Sequence, residues 1–217
     1  WALIQHYIFA KVSCYICAFL MRVLYIGCVY KINSSSLADR FFQNEKYYQK
    51  IEASLPAQAA VFQLPYQTYP GSHINGMGGY SHYEAHVHTK SLKWSFGGIL
   101  WREGEWFYRH LTDLPIPQQL DIARAMGFSG VYIDKRAFCD SGAFIEQATI
   151  DYVQNATKLD REQLEKTIIR NKPENRMFIP LPAPTDNAAQ RELANQYLKQ
   201  IGYVIKTGFQ PEPDGQW

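Results

Sequence analysis

The chain has 217 residues, enough for one domain with a sizeable core and an appendage. Its net charge is +2, with basic residues scattered rather than gathered in a stripe, so the sequence makes no case for nucleic acid as a partner. Cys14, Cys17 and Cys28 fall in an apolar N-terminal stretch and only Cys139 lies beyond it. This excludes a disulfide framework and leaves apolar packing as the expected role of the first three.

The chain opens on Trp1 and reads as a fragment or a processed product. Residues 12–30, VSCYICAFLMRVLYIGCVY, form a membrane candidate. As a helix this stretch would span roughly 28 Å, about the hydrocarbon thickness of a bilayer. Its apolar side chains favour insertion by roughly 2.5 to 5 kcal/mol, and Arg22 near the middle opposes it by about 2.5 to 3.5 kcal/mol. Such a span inserts best beside partner helices. A buried helix of a soluble protein is the alternative. Leu37, Phe41, Tyr48, Ile51 and Leu55 then recur at helical spacing, which predicts an amphipathic connecting helix that Pro56 stops.

Beyond Pro56 the pattern changes to alternating strands and helices. Ala60–Leu64 predicts a short apolar strand ended by Pro65. A long loop follows, and Lys93–Leu100 and Trp101–Tyr108 are expected to be strands. Thr112–Gly127 predicts a helix with prolines in its first turn and Gly127 just past its end. Phe128–Asp134 predicts a buried strand. Helices are expected over 141–156 and over Asp160–Asn171, the latter opened by an Asp160/Gln163 capping box. A strand is predicted at Arg176–Leu181, a helix at Asp186–Ile201 and an edge strand at Tyr203–Ile205. The order of strands and helices is that of an α/β domain with a mixed sheet. The expected division is a transmembrane helix within 1–31, a connecting helix over 32–56, the α/β domain over 57–206 and a loose tail from 207.

Candidate chemistry concentrates in Ala60–Phe96. His82, Glu84, His86 and His88 alternate at period two. On an extended strand they would share one face and could ligate a divalent metal, although a solvated polar face gives the same string. His82 is also a candidate general acid or base. Asp134 ends a buried strand, where α/β folds place ligands. The string GFSGVYID also looks like the strand ends of barrel glycoside hydrolases. Alternatively, Asp134 caps its turn or pairs with Lys135, Arg136 or Arg124. A glycosidase needs a second carboxylate, and Glu84, Glu103, Glu105 and Asp140 are available for it. Tyr66, Tyr69, Tyr80, Trp94, Trp101 and Trp106 offer sugar-stacking faces or core packing. Asn33-Ser34-Ser35 and Asn155-Ala156-Thr157 match the glycosylation sequon. There is no P-loop, GxGxxG, GxSxG or HExxH.

Val61–Tyr66 (VFQLPY), His82 between aromatic residues, His88-Thr89-Lys90, Lys93-Trp94-Ser95 and Gly127–Asp134 together resemble a C-terminal soluble domain of bacterial polytopic membrane proteins. These proteins are sugar-translocase-like or glycosyltransferase-like, of the GT-C type that uses polyprenyl-phosphate-linked sugars. The resemblance covers roughly residues 45–140. It implies a membrane protein with this domain on the periplasmic or extracellular side, and a lipid-linked sugar or glycan acceptor as its partner. It implies Tyr66, His82, His88, Lys90 and Trp94 as substrate-binding candidates. The catalytic residues of such a transferase lie in other regions, so only His82 and Asp134 stand as catalytic candidates here, and no cofactor is expected in this stretch. Two other functions fit the residues: a glycan-hydrolase-like domain acting by itself, and a non-catalytic interaction module.

Overall fold

A computed structural model describes residues 15–17, 19–22, 37–70, 73–96, 98–101, 103–184 and 186–202. The chain divides into two compact units, 1–46 and 47–217. In the first, the described residues 15–17, 19–22 and 37–46 are helical, and Tyr15, Phe19, Leu20, Met21, Phe41 and Phe42 are exposed. Among the described residues no helix is long and apolar enough to cross a membrane. Most of the expected span 12–30 lies outside the described residues, as does the expected edge strand at 203–205.

The second unit is a mixed α/β fold. Residues 37–54 are helical (α1), and those from Tyr47 on belong to this unit. There follow β1 (Ala60–Leu64), α2 (Glu84–His88), β2 (Lys93–Trp94), α3 (Glu103–Leu111), α4 (Ile116–Ala125), β3 (Phe128–Asp134), α5 (Ala143–Thr157), α6 (Arg161–Thr167), β4 (Ile169–Asn171), β5 (Arg176–Pro180) and α7 (Asn187–Gln200). The strands form one sheet in the order β2-β1-β3-β5-β4. β1 runs parallel to both β2 and β3, and β5 runs antiparallel to both β3 and β4.

The sheet has two unlike faces because its strands alternate at period two. Phe62, Leu64, Val131, Ile133, Met177 and Ile179 point to an aliphatic core. That core is closed by Phe107 and Leu111 of α3, Leu120 and Ile122 of α4, Ile150 and Val153 of α5, Leu164 of α6 and Leu198 of α7. The intervening Val61, Tyr132 and Phe178 join Trp94, Ala85, Tyr47, Tyr48 and Ile51 in a second core rich in aromatic rings. Each fully buried large apolar side chain contributes about 1.5–3 kcal/mol, so both faces contribute to stability.

β1 and β3 occupy the ranges that their apolar runs predict. The ends of α4 follow the local signals too: Pro117 lies in the first turn and Gly127 takes φ +88 just past the end. The Asp160/Gln163 capping box is present on α6, and Asp186 caps α7 by accepting from Ala188 N and Ala189 N.

Four expectations are corrected. Residues 101–108 are not a strand: α3 begins at Glu103, and helical spacing lets Phe107 and Leu111 enter the aliphatic core together. The strand at 93–100 is only Lys93–Trp94. The helix expected to reach Asn171 stops at Thr167, and Ile169–Asn171 pairs with β5 instead. Residues 82–88 are not extended: they form a 3-10 turn, Ser81–Tyr83, that passes into α2.

Candidate functional site

The chain leaves β1 toward β2 on one side and leaves β3 toward β4 on the other. The C-terminal ends of β1 and β3 are therefore the sheet's topological switch point, where open α/β sheets place ligands. Leu64, Pro65 and Tyr66 end one strand there and Asp134 ends the other.

On the aromatic face of the sheet, the antiparallel register sets Asp134 directly opposite Arg176. Both side chains are fully buried, with Arg176 Nε 3.4 Å from Asp134 Oδ2. Arg136, two residues past the strand, returns to donate from Nε to Asp134 Oδ1 (2.9 Å) and from Nη2 to Oδ2 (2.6 Å). Its Nη1 donates to Glu174 Oε2 at 2.8 Å. Arg176 Nη1 donates to Glu84 Oε2 at 2.6 Å and to the Tyr48 hydroxyl at 3.3 Å, and the Tyr48 and Tyr132 hydroxyls lie 3.1 Å apart. Burial opposes the charge of Arg176, but Tyr132, Tyr48, Glu84 and Asp134 around it more than offset this and raise its pKa. Burial likewise pushes the Tyr48 hydroxyl up to about 12 and that of Tyr132 well above its ordinary value. The cluster thus holds Arg136 and Arg176 against Asp134, Glu84 and Glu174.

His82 lies beside this cluster and is almost wholly buried. Its Nε2 donates to the Pro65 carbonyl at 2.7 Å, since a carbonyl can only accept. Its Nδ1 is buried without a partner. Burial lowers its pKa to about 4, so it is neutral at neutral pH. Gln63 Nε2 donates to the His82 carbonyl (3.0 Å) while Gln63 Oε1 accepts from Phe96 N (2.9 Å), which ties the middle of the long loop and the segment after β2 to β1.

The turn-and-helix conformation of 82–88 separates the four metal candidates, because residues two apart on a helix point in nearly opposite directions. His82 faces inward and Glu84 meets Arg176. His86 is exposed beside the Tyr83 ring, and His88 stacks on Tyr48 with ring centres 5.4 Å apart. The shared face predicted for a metal does not form, and among the described residues no group of three or more His, Cys, Asp or Glu is placed to hold a metal ion.

Most of the remaining candidates do structural work. Trp94 is buried, and its Nε1 donates to Thr89 Oγ1 (2.8 Å), whose hydroxyl donates to the Ala85 carbonyl (2.8 Å). Lys90 N, Ser91 N and Ser91 Oγ all donate to Glu52 Oε1, fixing this segment to α1. Tyr66 donates its hydroxyl to Glu105 Oε1, and burial followed by this bond raises its pKa. Asp140 caps α5 by accepting from Gly142 N (2.9 Å) and Phe144 N (2.7 Å). Lys135 pairs with Glu146, and Arg124 reaches the Pro182 and Ala183 carbonyls, so of the partners expected for Asp134 only Arg136 is used. Sequence reasoning missed Arg176, whose one visible signal is a charge opening the apolar run RMFIP.

Above the switch point the loop, with the segment that follows β2, carries a group of rings. Tyr69 lies against Tyr80 and Phe96, with centres 6.0 and 5.7 Å apart, and Phe96 lies against Tyr83 at 6.3 Å. Tyr80 is 60%, Tyr83 51% and Trp101 94% exposed. Phe96 and Trp101 are held at φ +36 and +69, in the left-handed region that bulky residues rarely adopt. Tyr69 N donates to the Gly98 carbonyl and Leu100 N to the Tyr69 carbonyl, so residues 98–100 support the Tyr69 ring.

Gly98 itself has φ +84, and a Cβ there would sit 2.6 Å from Glu105 N and 2.7 Å from its Cα. Gly98→Ala is expected to cost about 1–3 kcal/mol through clash and backbone strain. A thermal melt would register this as a fall of several degrees, and an unchanged midpoint would show that the loop can move off α3.

No protein-family model, no curated protein and no solved structure matches this chain.

Proposed function

We propose that the domain is the extracytoplasmic C-terminal part of a membrane glycosyltransferase-like protein, preceded by a membrane span at 12–30, and that it helps to bind a lipid-linked sugar or a glycan acceptor. The observation that carries this is the exposed ring group Tyr69, Tyr80 and Tyr83 at the switch point of the sheet, with Trp101 on the segment between β2 and α3 that bonds to Tyr69. Flat exposed aromatic faces with hydroxyls suit sugar rings, which have an apolar face and a polar edge. The sequence resemblance to GT-C-type membrane proteins supplies the wider setting.

The buried cluster favours binding over hydrolysis. A glycosidase needs one carboxyl group as an acid and another as a base or nucleophile. Asp134 is taken up by two guanidiniums, Glu84 by Arg176 and Glu105 by the Tyr66 hydroxyl. His82 is buried and already donates its one proton to a backbone carbonyl.

Saturation-transfer NMR on the full chain, with a panel of neutral and amino-sugar oligosaccharides, tests the proposal. Transfer to at least one saccharide is expected, and Tyr80→Ala or Trp101→Ala should each weaken binding by about tenfold, or 1.4 kcal/mol. Absence of transfer at millimolar saccharide would overturn it, as would variants that bind like the parent. Release of new reducing ends would favour the hydrolase alternative.

A further inference from the structure

We propose that His82 is an acid-sensitive latch that holds the aromatic loop between β1 and β2 against the sheet and releases it when the imidazole gains a second proton. The geometry is specific. The ring is wedged between Phe96 and Tyr132, with centres 6.1 and 5.9 Å away. Nε2–H closes on the Pro65 carbonyl at the start of the loop, and the residue's own carbonyl is held by Gln63 of β1. Nδ1 is buried and faces no partner that could accept a proton's hydrogen bond.

A proton on Nδ1 would create a buried donor with nothing to donate to, on a ring that now carries charge. Several groups determine its fate. From β3, Asp134 favours the charged ring, while Arg176 of β5 and Arg136 of the following turn oppose it. Tyr132 of β3 offers a ring face, and Glu84 on the next turn of His82's own segment is engaged by Arg176. Asp134 is shared by both arginines, so its pull on His82 is already offset. Burial dominates and holds the pKa near 4. The route open to the charged imidazole is outward into water, which gives up the Pro65 bond and the packing against Phe96. Tyr69 and Tyr83, which pack with Phe96, and Tyr80, which packs on Tyr69, then lose their support. The latch acts on the loop whatever these rings bind.

The sign follows from linkage. The open state has the ordinary histidine pKa of about 6.5 and the closed state a pKa of about 4, so opening takes up a proton between those values. The opening equilibrium should rise by about twentyfold from pH 7 to pH 5. Hydrogen exchange on the full chain, corrected for intrinsic rates, measures it. The amides of Tyr69, Met77, Ser81 and Phe96 should lose about twentyfold protection, while those of α4, α5 and β5 keep theirs. His82→Gln retains an N–H for Pro65 and cannot titrate, so it should flatten the pH response. A side-chain NMR titration of the parent should place His82 well below the ordinary histidine range, and this readout stands even if the variant fails to fold. Four outcomes would overturn the latch: loop protection independent of pH, loop and helices opening together, an undiminished acid response in His82→Gln, or a His82 midpoint near 6.5.

Discussion

Arg176→Ala is expected to destabilise the domain by about 3–5 kcal/mol, the range found when one partner of a buried ion pair is removed. Arg176 has no exposed surface and is one of two guanidiniums that neutralise Asp134, Glu84 and Glu174. Its loss leaves Arg136 as the remaining guanidinium on the buried Asp134, next to the space vacated beside Tyr48. Asp134 is as buried as Arg176 and cannot turn to water, whereas Glu84 is 28% exposed and can. The damage should therefore concentrate on Asp134. A second variant separates charge from volume. Arg176→Met combined with Asp134→Leu removes both buried charges and keeps most of the packing, and replacing a buried pair by apolar residues is often neutral. The double variant should recover a large part of the loss. Urea unfolding read by tryptophan fluorescence gives both numbers. A cost below about 1 kcal/mol for Arg176→Ala would place the pair in the range of solvated surface bridges and contradict its burial.

What could be read in advance depended on how local the determinant is. β1 and β3 were legible because an apolar run, a following proline and a terminal carboxylate all lie within a few residues. The capping box of α6 was legible for the same reason. Residues 82–88 and 101–108 were not, because short segments with charges and rings fit period two and period 3.6 almost equally. The choice was made by the core: Ala85 packs in the aromatic cluster, and Phe107, Leu111 and the adjacent Tyr108 all meet the aliphatic one, whereas neighbours on a strand would point to opposite faces. The site divides along the same line. Asp134 was visible as a carboxylate at a strand end, with Arg136 two residues away. Arg176 was hidden because its partners are far off in sequence, Glu84 at a separation of 92 and Tyr48 at 128. Trp94, a substrate-binding candidate from its motif, and its neighbour Ser95 also make tertiary bonds that the sequence does not show: Trp94 to Thr89, and Gln63 N to Ser95 Oγ at 2.9 Å.

Phe178→Ala is expected to cost about 3–5 kcal/mol, the usual loss for truncating a buried phenylalanine. The ring is fully buried at the centre of the sheet, where β5 pairs with β3. It explains why a strand of otherwise bulky residues contains Gly130. A Cβ on Gly130 would lie 2.4 Å from Phe178 Cε2 and 2.5 Å from Cζ, so the ring tip already occupies that methyl's place. Gly130→Ala alone should thus overpack the site and cost about 1–3 kcal/mol, although alanine suits the strand backbone better than glycine does. The two changes act on one volume and should not add. With Phe178 truncated, the methyl that Gly130→Ala introduces fills part of the cavity instead of striking a ring, so the double variant should be more stable than the sum of the singles predicts by about 1 kcal/mol or more. A double-mutant cycle in urea measures that coupling. Strict additivity would mean that the ring tips away from Gly130 at little cost, and that the glycine is retained for some reason other than the space Phe178 takes.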